Sequence, residues 1–238
     1  MKLYFGILAA LAIAISNHAA MAAFDFSTPT GSTTNDGPVD AYASFTVSNG
    51  SIGVQLTNLL QNLKADGQMI SGIYFDVSGA TGTGSLVTVN SGYDSSISAG
   101  GAYTLDITAD PLLRWKADNV GASVTLTTLS GGAPKLMIIG PDSAGGFAQV
   151  GQYTNANGSV TNGAHNPSVL GSAIFNITVP GVTTSSIIRN VVFQFGTNDA
   201  INQVVGVTAT PEPASLVIWS LITVIASVIA VRMRRDKV

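Results

Sequence analysis

The sequence predicts a mainly β protein. Residues 23–209 are expected to form an antiparallel β-sandwich or jelly-roll-like ectodomain, preceded by an N-terminal signal peptide and followed by one C-terminal transmembrane helix. Three observations carry that expectation. Apolar and polar residues alternate with period two in many short runs, the spacing that turns one face of a strand toward a core. Clusters of Gly, Ser, Asn and Asp separate those runs, as turns require. The two long uncharged apolar stretches lie at the ends of the chain.

The N-terminus comes first. Lys2 precedes the apolar stretch Leu3 to Ile15; polar Ser16, Asn17 and His18 follow, and then the small residues Ala20 and Ala22. A charged start, a short apolar core and a small-residue exit make residues 1–22 a secretory signal peptide, cleaved after Ala22. The expected partners at this stage are the Sec and signal-peptidase machinery.

In the middle region the alternation is clear at Ile73, Phe75, Val77; at Tyr103, Leu105, Ile107; and at Val124, Leu126. It recurs at Phe175, Ile177, Val179 and at Val191, Phe193, Phe195. "YASFTVS" from Tyr42 and "SIGVQLT" from Ser51 flank Asn49-Gly50, a hairpin signal. Glycine clusters from Ser78, Ser98, Ser130 and Gly140 are expected as turns. Only "NLLQNLKADG" (Asn58 to Gly67) has a helical look, that of a single short helix. No internal repeat is evident.

Composition excludes some classes of function. Between residues 23 and 209 there are eleven Asp and no Glu, against Lys64, Arg114, Lys116, Lys135 and Arg189, so the net charge is −6. Nucleic acid needs clustered cations, and so does anionic lipid; neither is expected as a partner of this region. The chain has no cysteine, so no disulfide supports the fold although export would permit one. The core must suffice, and about 190 residues can bury roughly 70% of their unfolded surface.

At the C-terminus, Ala214 to Val231 is an 18-residue run without charge, Pro or Gly. A helix of that length spans roughly 27 Å at about 1.5 Å per residue, close to the ~30 Å hydrocarbon core of a bilayer. Trp219 sits near its outer end, and Arg232, Arg234, Arg235 and Lys237 follow it, so the C-terminus is expected in the cytoplasm and the bulk of the chain outside. A buried core helix is the other reading, and all-round apolarity at this length opposes it.

Just before the span stands Pro211-Glu212-Pro213, which contains the only glutamate of the chain. Two prolines lack N–H groups and have fixed φ, so this stretch is expected to stay extended and open to a protease. Tripeptide, apolar span and the arginines Arg232, Arg234 and Arg235, in that order, resemble a PEP-CTERM sorting signal over residues 211–238. The resemblance implies recognition by an exosortase, a membrane-embedded transpeptidase-like protease of Gram-negative bacteria that make extracellular polysaccharide. It further implies an inner-membrane intermediate, cleavage near the tripeptide, and release or transfer to the cell surface or matrix. A permanent single-span anchor with a stiff linker is the alternative. "GQMISGIYFDVSG" (Gly67 to Gly79), "NGSVTNGAHNPSVLGSAIFNITVPGV" (Asn157 to Val182) and "NVVFQFGTN" (Asn190 to Asn198) also resemble an uncharacterised β-rich ectodomain type attached to such tails. That likeness covers Ala43 to Asn198 and implies architecture and location, with no catalytic residues.

Each candidate for chemistry has a plainer reading beside it. His165, in "NGAHNPSV", is the only histidine after signal removal; without a GxSxG elbow or a second histidine it is expected to order its loop. Gly79, Gly82 and Gly84 are spaced like a phosphate cradle, yet "LVTVNS" follows as a strand, which favours a hairpin turn. Asn35-Asp36 with Asp40, Asp110 with Asp118, and Asp142 could ligate calcium, but none has the EF-hand spacing, so turn-forming aspartates are expected and no metal or other cofactor. Trp115, between Arg114 and Lys116, could stack on a sugar; core packing is the expected role. No catalytic residue is assigned. These readings point to an exported surface or matrix protein with a structural or adhesive role linked to extracellular polysaccharide. A carbohydrate- or calcium-binding module is the alternative, and a secreted glycoside hydrolase comes last because His and Glu are so scarce.

Overall fold

A computed structural model describes residues 22–105, 114–130, 133–198 and 201–209. The expected signal-peptide core, Ala20, Ile107, Asp110, the tripeptide, the apolar span and the basic tail lie outside them. Among the described residues no helix is long and apolar enough to cross a membrane.

The chain starts in β1 (Ala22–Ser27), forms a small ribbon from β2 (Thr33–Thr34) and β3 (Gly37–Pro38), and enters a hairpin of β4 (Ala41–Ser48) and β5 (Ser51–Asn58). Ser48 faces Ser51, so Asn49-Gly50 is the two-residue turn expected, and Gly50 takes φ 74°, which a side chain would resist. The alternation in β4 works as its period requires. Ala41, Ala43, Phe45 and Val47 are buried, with Ser44 and Thr46 turned outward.

Next come β6 (Ile70–Val77), β7 (Ser85–Ser95) and β8 (Ala102–Thr104). They are followed by β9 (Lys116–Val120), β10 (Ser123–Thr127), β11 (Ile138–Ile139) and β12 (Val150–Gln152). The long strands β13 (Ser168–Thr178) and β14 (Ile188–Phe195) precede β15 (Gln203–Val205) and β16 (Val207–Thr208). Ile73, Phe75, Val77, Val124, Leu126, Phe175, Ile177, Val179, Val191, Phe193 and Phe195 are all buried, as their alternation predicts.

Among the described residues twelve strands form one large sheet, mixed but mostly antiparallel. Its path runs β15-β14-β6-β11-β13-β5-β4-β1-β16, with β10 and β9 added beside β6 and β7 beside β13. The one parallel pair, β11 with β13, corrects the expectation of a purely antiparallel sheet. The path has two arms, β9-β10-β6-β14-β15 and β7-β13-β5-β4-β1-β16, joined through the two-residue β11. It also returns on itself. Its terminal strands β15 and β16 are one segment interrupted only by Gly206, which pairs with β14 on one side and β1 on the other. A Cβ on Gly206 would come 3.0 Å from the Phe193 ring, a tight contact that the absence of a side chain avoids.

The curl brings distant strands face to face. Phe45 on β4 and Phe75 on β6 have three strands between them along the path, yet their rings meet at 4.9 Å. Between the arms Trp115 is fully buried, 4.6 Å from the ring of Phe175, and its Nε1–H donates to the Leu136 carbonyl at 2.9 Å. The core role expected for Trp115 is the one observed. A sugar-stacking role is overturned, because no face of the ring reaches solvent.

Strand directions define two ends. The first pole gathers Ala22, the Asn49-Gly50 turn, and the connections 78–84, 121–122 and 179–187, which are tied together. Gly50 N–H donates to Val182 O (2.8 Å), Thr81 N–H to Pro180 O (2.9 Å), and Val77 N–H to Ala122 O (2.8 Å). The second pole carries the longer loops over a separate cluster that includes Leu63, Met69, Ile97, Tyr103, Met137 and Tyr153.

Two local expectations need correction. Asn58 to Gly67 forms no α-helix: Asn58 ends β5, a loop follows, and the only helical turn there is a 3-10 turn at Asp66–Gln68. Side chains take the backbone groups a helix would have used: Gln68 Oε1 accepts from Lys64 N–H and Ala65 N–H, and Asn58 Oδ1 from Leu60 N–H. Asn62 moreover sits at φ 51°, outside helical space. The glycines Gly79, Gly82 and Gly84 do not form a hairpin. They carry the chain from β6 in one arm to β7 in the other, where Asn119 bridges Gly82 O and Gly84 N–H. A strand follows them, so no helix terminus is present to hold a phosphate.

In the second-pole cluster the Tyr103 hydroxyl donates to Asp142 Oδ2 at 2.9 Å and Tyr153 to Gly140 O at 2.7 Å. Burial first, then Asp142, pushes the Tyr103 phenol up to about 12. Burial first, then Tyr103 and Asp142, pushes Tyr153 up as well. A raised phenol favours the folded state fully below the unfolded value of about 10, and that contribution is lost as pH rises through the folded value. The melting temperature should therefore hold to about pH 10 and fall toward pH 12. Tyrosinate absorbance should lag behind that of free tyrosine until unfolding. Ordinary, reversible ionisation of every tyrosine in the folded domain would refute this.

Candidate functional site

The outward face of the first arm offers the best-formed site. Strand register lays its residues out in rungs. Asp118, Thr125, Tyr74, Val192 and Val205 form one, and Lys116, Thr127, Gly72, Gln194 and Gln203 the next. A third rung pairs Val120, Ser123 and Asp76 with Arg189. At about 4.8 Å between strands and about 6.8 Å between rungs, the face measures roughly 19 by 14 Å. An open groove of about 710 Å³ runs along it, lined by Tyr74, Ser123, Thr125, Thr127, Lys116 and Asp118.

The groove has one aromatic ring, a ladder of hydroxyls and the Asp118 carboxylate, and a second carboxylate, Asp76, stands at its edge beside Ser123. Tyr74 OH lies 2.8 Å from Ser123 Oγ and 3.3 Å from Asp76 Oδ1. Ser123 Oγ donates to the same oxygen at 2.7 Å, and Asn190 Nδ2 donates to Asp76 Oδ2 at 2.7 Å. The hydrogen bonds from Ser123 and then Asn190, with Arg189 nearby, hold the Asp76 carboxyl below the usual carboxylate range. On the far side of Tyr74 a shallower hollow is lined by Val192, Gln194 and Gln203. There Gln194 Oε1 is buried without a hydrogen-bond partner. Gln194 lies over Gly72, where a Cβ would come 2.3 Å from that oxygen.

Asp76 supplies a pH test. A lowered carboxyl stabilises the fold above its unfolded value of about 4, and that contribution is lost as pH falls through the folded value. Ser123→Ala removes the largest cause and should raise the Asp76 titration midpoint, followed by carboxyl chemical shift. Superposable curves for wild type and variant would show that Ser123 does not act on Asp76.

Two carboxylates share this face. Asp76 and Asp118 sit two strands and one rung apart on the same face, about 12 Å between Cα atoms. A general acid needs a raised pKa, and Asp76 is shifted the other way.

The other residues singled out from sequence are scattered. His165 lies on the second pole with Asp66 and Ser159 beside it, but not as a triad. Its Nδ1–H donates to the Ser159 carbonyl at 2.8 Å, and Asp66 Oδ2 is 3.7 Å away. The Ser159 hydroxyl instead donates to Asn157 and accepts the Asp66 N–H, so no nucleophile–base bond exists. Asn166 braces the same loop by bonding both Ile97 N–H and Ile97 O at 3.0 Å. Asp142 is buried and turn-forming, accepting from Tyr103, Ala144 N–H and Gly146 N–H. Among the described residues no three His, Cys, Asp or Glu side chains gather to hold a metal.

The second arm presents another polar surface. Ser44, Thr46, Gln55 and Asn176 surround a hollow of about 340 Å³ over Gly53. Its groups are hydroxyls and amides, without charge. Neither face was legible in advance, because each is assembled by register from strands far apart in sequence.

The fold and this groove define a β-rich domain with an open, hydroxyl-lined face. No protein-family model, curated protein or solved structure matches the chain.

Proposed function

We propose that the chain is an exported surface or matrix protein with a structural or adhesive role, and that its β domain contacts extracellular polysaccharide. In this reading the signal peptide is removed after Ala22, Ala214 to Val231 anchors an inner-membrane intermediate with a cytoplasmic C-terminus, and an exosortase acts at Pro211-Glu212-Pro213. The two arms of the sheet are the layers of a jelly-roll-like β-sandwich, supported by Phe45 and Phe75 meeting across the interior. The exosortase, the Gram-negative envelope and the route to the surface rest on the sequence of the two ends.

The observation that carries the polysaccharide reading is the open groove over Tyr74. A half-buried ring flanked by Ser123, Thr125 and Thr127 suits a polymer that offers an apolar ring face and peripheral hydroxyls. Asp76, kept ionised, is an acceptor for such hydroxyls. The face is open and shallow, which allows a long chain to lie across it. Weak single contacts would be strengthened by multivalent display at the surface.

The experiment is co-sedimentation of the purified 23–209 domain with native extracellular polysaccharide. Tyr74→Ala should weaken retention on the order of tenfold, about 1.4 kcal/mol, a usual scale for one aromatic contact. Equal retention of wild type and variant would remove the groove from the account.

A further inference from the structure

We infer that the first pole is a bilayer-facing surface, held against an uncharged lipid interface while the chain is anchored; this rests on Ala214 to Val231 being the anchor. The direction of the last described segment is the starting point. Thr208 pairs with Phe26 and Ala209 N–H donates to Asp25 O at 2.8 Å, so the chain travels antiparallel to β1, toward the pole that holds Ala22. From Ala209 to Ala214 is five residues, at most about 17 Å of chain. From the level of Asp25 to Ala22 is three residues of strand, about 10 Å. The tether thus reaches the first pole, whereas the second pole would require it to reverse and pass the long loops.

Charge separates the two poles independently of that tether. The connections 49–50, 78–84, 121–122 and 179–187 contain no ionisable residue. The second pole carries Asp36, Asp40, Lys64, Asp66, Lys135 and Asp142. Bringing a charge to a low-dielectric interface is costly, while an uncharged surface of Gly, Ser, Thr and Pro is not so penalised. Each pole exposes some apolar side chains, but at the first these are Val120 (83% exposed) and Ile187 (56% exposed), at the ends of the uncharged connections, with the pair Asp76 and Arg189 next to them on the rung of Val120. They flank the end of β6, since Ala122 O accepts from Val77 N–H and Ile187 O from Ser78 N–H. These connections carry no cation; the two cations near them are Arg189, set beside Asp76 by register, and the Ala23 amino group freed by cleavage, so the surface fits a zwitterionic interface rather than a strongly anionic one.

The chain has no cysteine, so single-cysteine labels report position cleanly. The full chain carrying Val120→Cys, Ile187→Cys, Lys135→Cys or Asn155→Cys, each fluorescently labelled, is reconstituted in phosphatidylcholine vesicles containing a headgroup-spin-labelled lipid. All four are expected to float with the vesicles, and the labels at 120 and 187 to be quenched several-fold more strongly than those at 135 and 155. Flotation with equal quenching, or stronger quenching at 135 and 155, overturns the inference while anchoring stands. Failure to float instead overturns the anchoring itself, and the inference with it.

Discussion

Replacing Trp115 with alanine should destabilise the 23–209 domain by about 3–5 kcal/mol, a large part of the roughly 5–15 kcal/mol a domain has. The indole is fully buried between the arms and touches Phe175 on the opposing strand, so its removal opens a cavity that neither arm can close alone. Its Nε1–H also satisfies the carbonyl of Leu136, a residue held at φ 59° just before β11, the short strand that joins the arms. Trp115→Phe keeps much of the volume but strands that carbonyl, and should cost about 1–3 kcal/mol. Urea unfolding followed by circular dichroism measures both. A loss within about 0.5 kcal/mol for alanine is the behaviour of a surface residue and would contradict the core assignment.

The second large effect concerns location. Replacing Pro211, Glu212 and Pro213 together with alanines should leave export intact and keep the protein in the membrane fraction through Ala214 to Val231. On the proposed reading, alanines supply the N–H groups and free φ that the prolines withhold, which favours helix and removes the features by which an exosortase would recognise the segment. Wild-type protein should appear outside the membrane fraction, its mass reduced by the tail. Cell fractionation with intact-mass measurement reads the outcome. A variant that reaches the same extracellular fraction at the same mass as wild type would show that the tripeptide is not a processing signal.

What could be seen in the sequence was local, and what could not was assembled over distance. Asn49-Gly50 announced its hairpin because a two-residue turn needs only its own chemistry. Buried positions in β6, β10, β13 and β14 followed from period two, since a strand's faces are fixed wherever its partners lie. The glycines from Gly79 to Gly84 marked a turn correctly but not its destination; whether a turn returns to its own strand depends on β7 finding β13. Asn58 to Gly67 looked helical by apolar spacing, yet Gln68 and Asn58 satisfied its backbone from the side. The closing segment is shorter still, β15 and β16 being only three and two residues, too short to show any period. The groove was invisible for the same reason. Tyr74, Ser123 and Asp118 belong to three strands, and only the register of β10 between β6 and β9 sets them side by side.

That register also explains why the face reads as a surface for contact. Its hydroxyls and its single ring are spread over an open area, while of its two carboxylates Asp118 stands apart and Asp76 is held ionised by donors from Ser123, Asn190 and Tyr74. His165, the remaining titratable group with catalytic precedent, is spent on holding its loop to Ser159. Replacing His165 with alanine is accordingly expected to leave retention on polymer unchanged.

The central claim is contact without turnover. Its most direct measurement incubates the purified 23–209 domain with native extracellular polysaccharide and follows, in one sample, bound protein and newly released reducing ends. The account predicts retention that saturates, with no release above the level of a heat-denatured control. Steady release of sugar, abolished by a single Asp or His substitution such as Asp76→Asn or His165→Ala, would contradict it and make the domain a hydrolase.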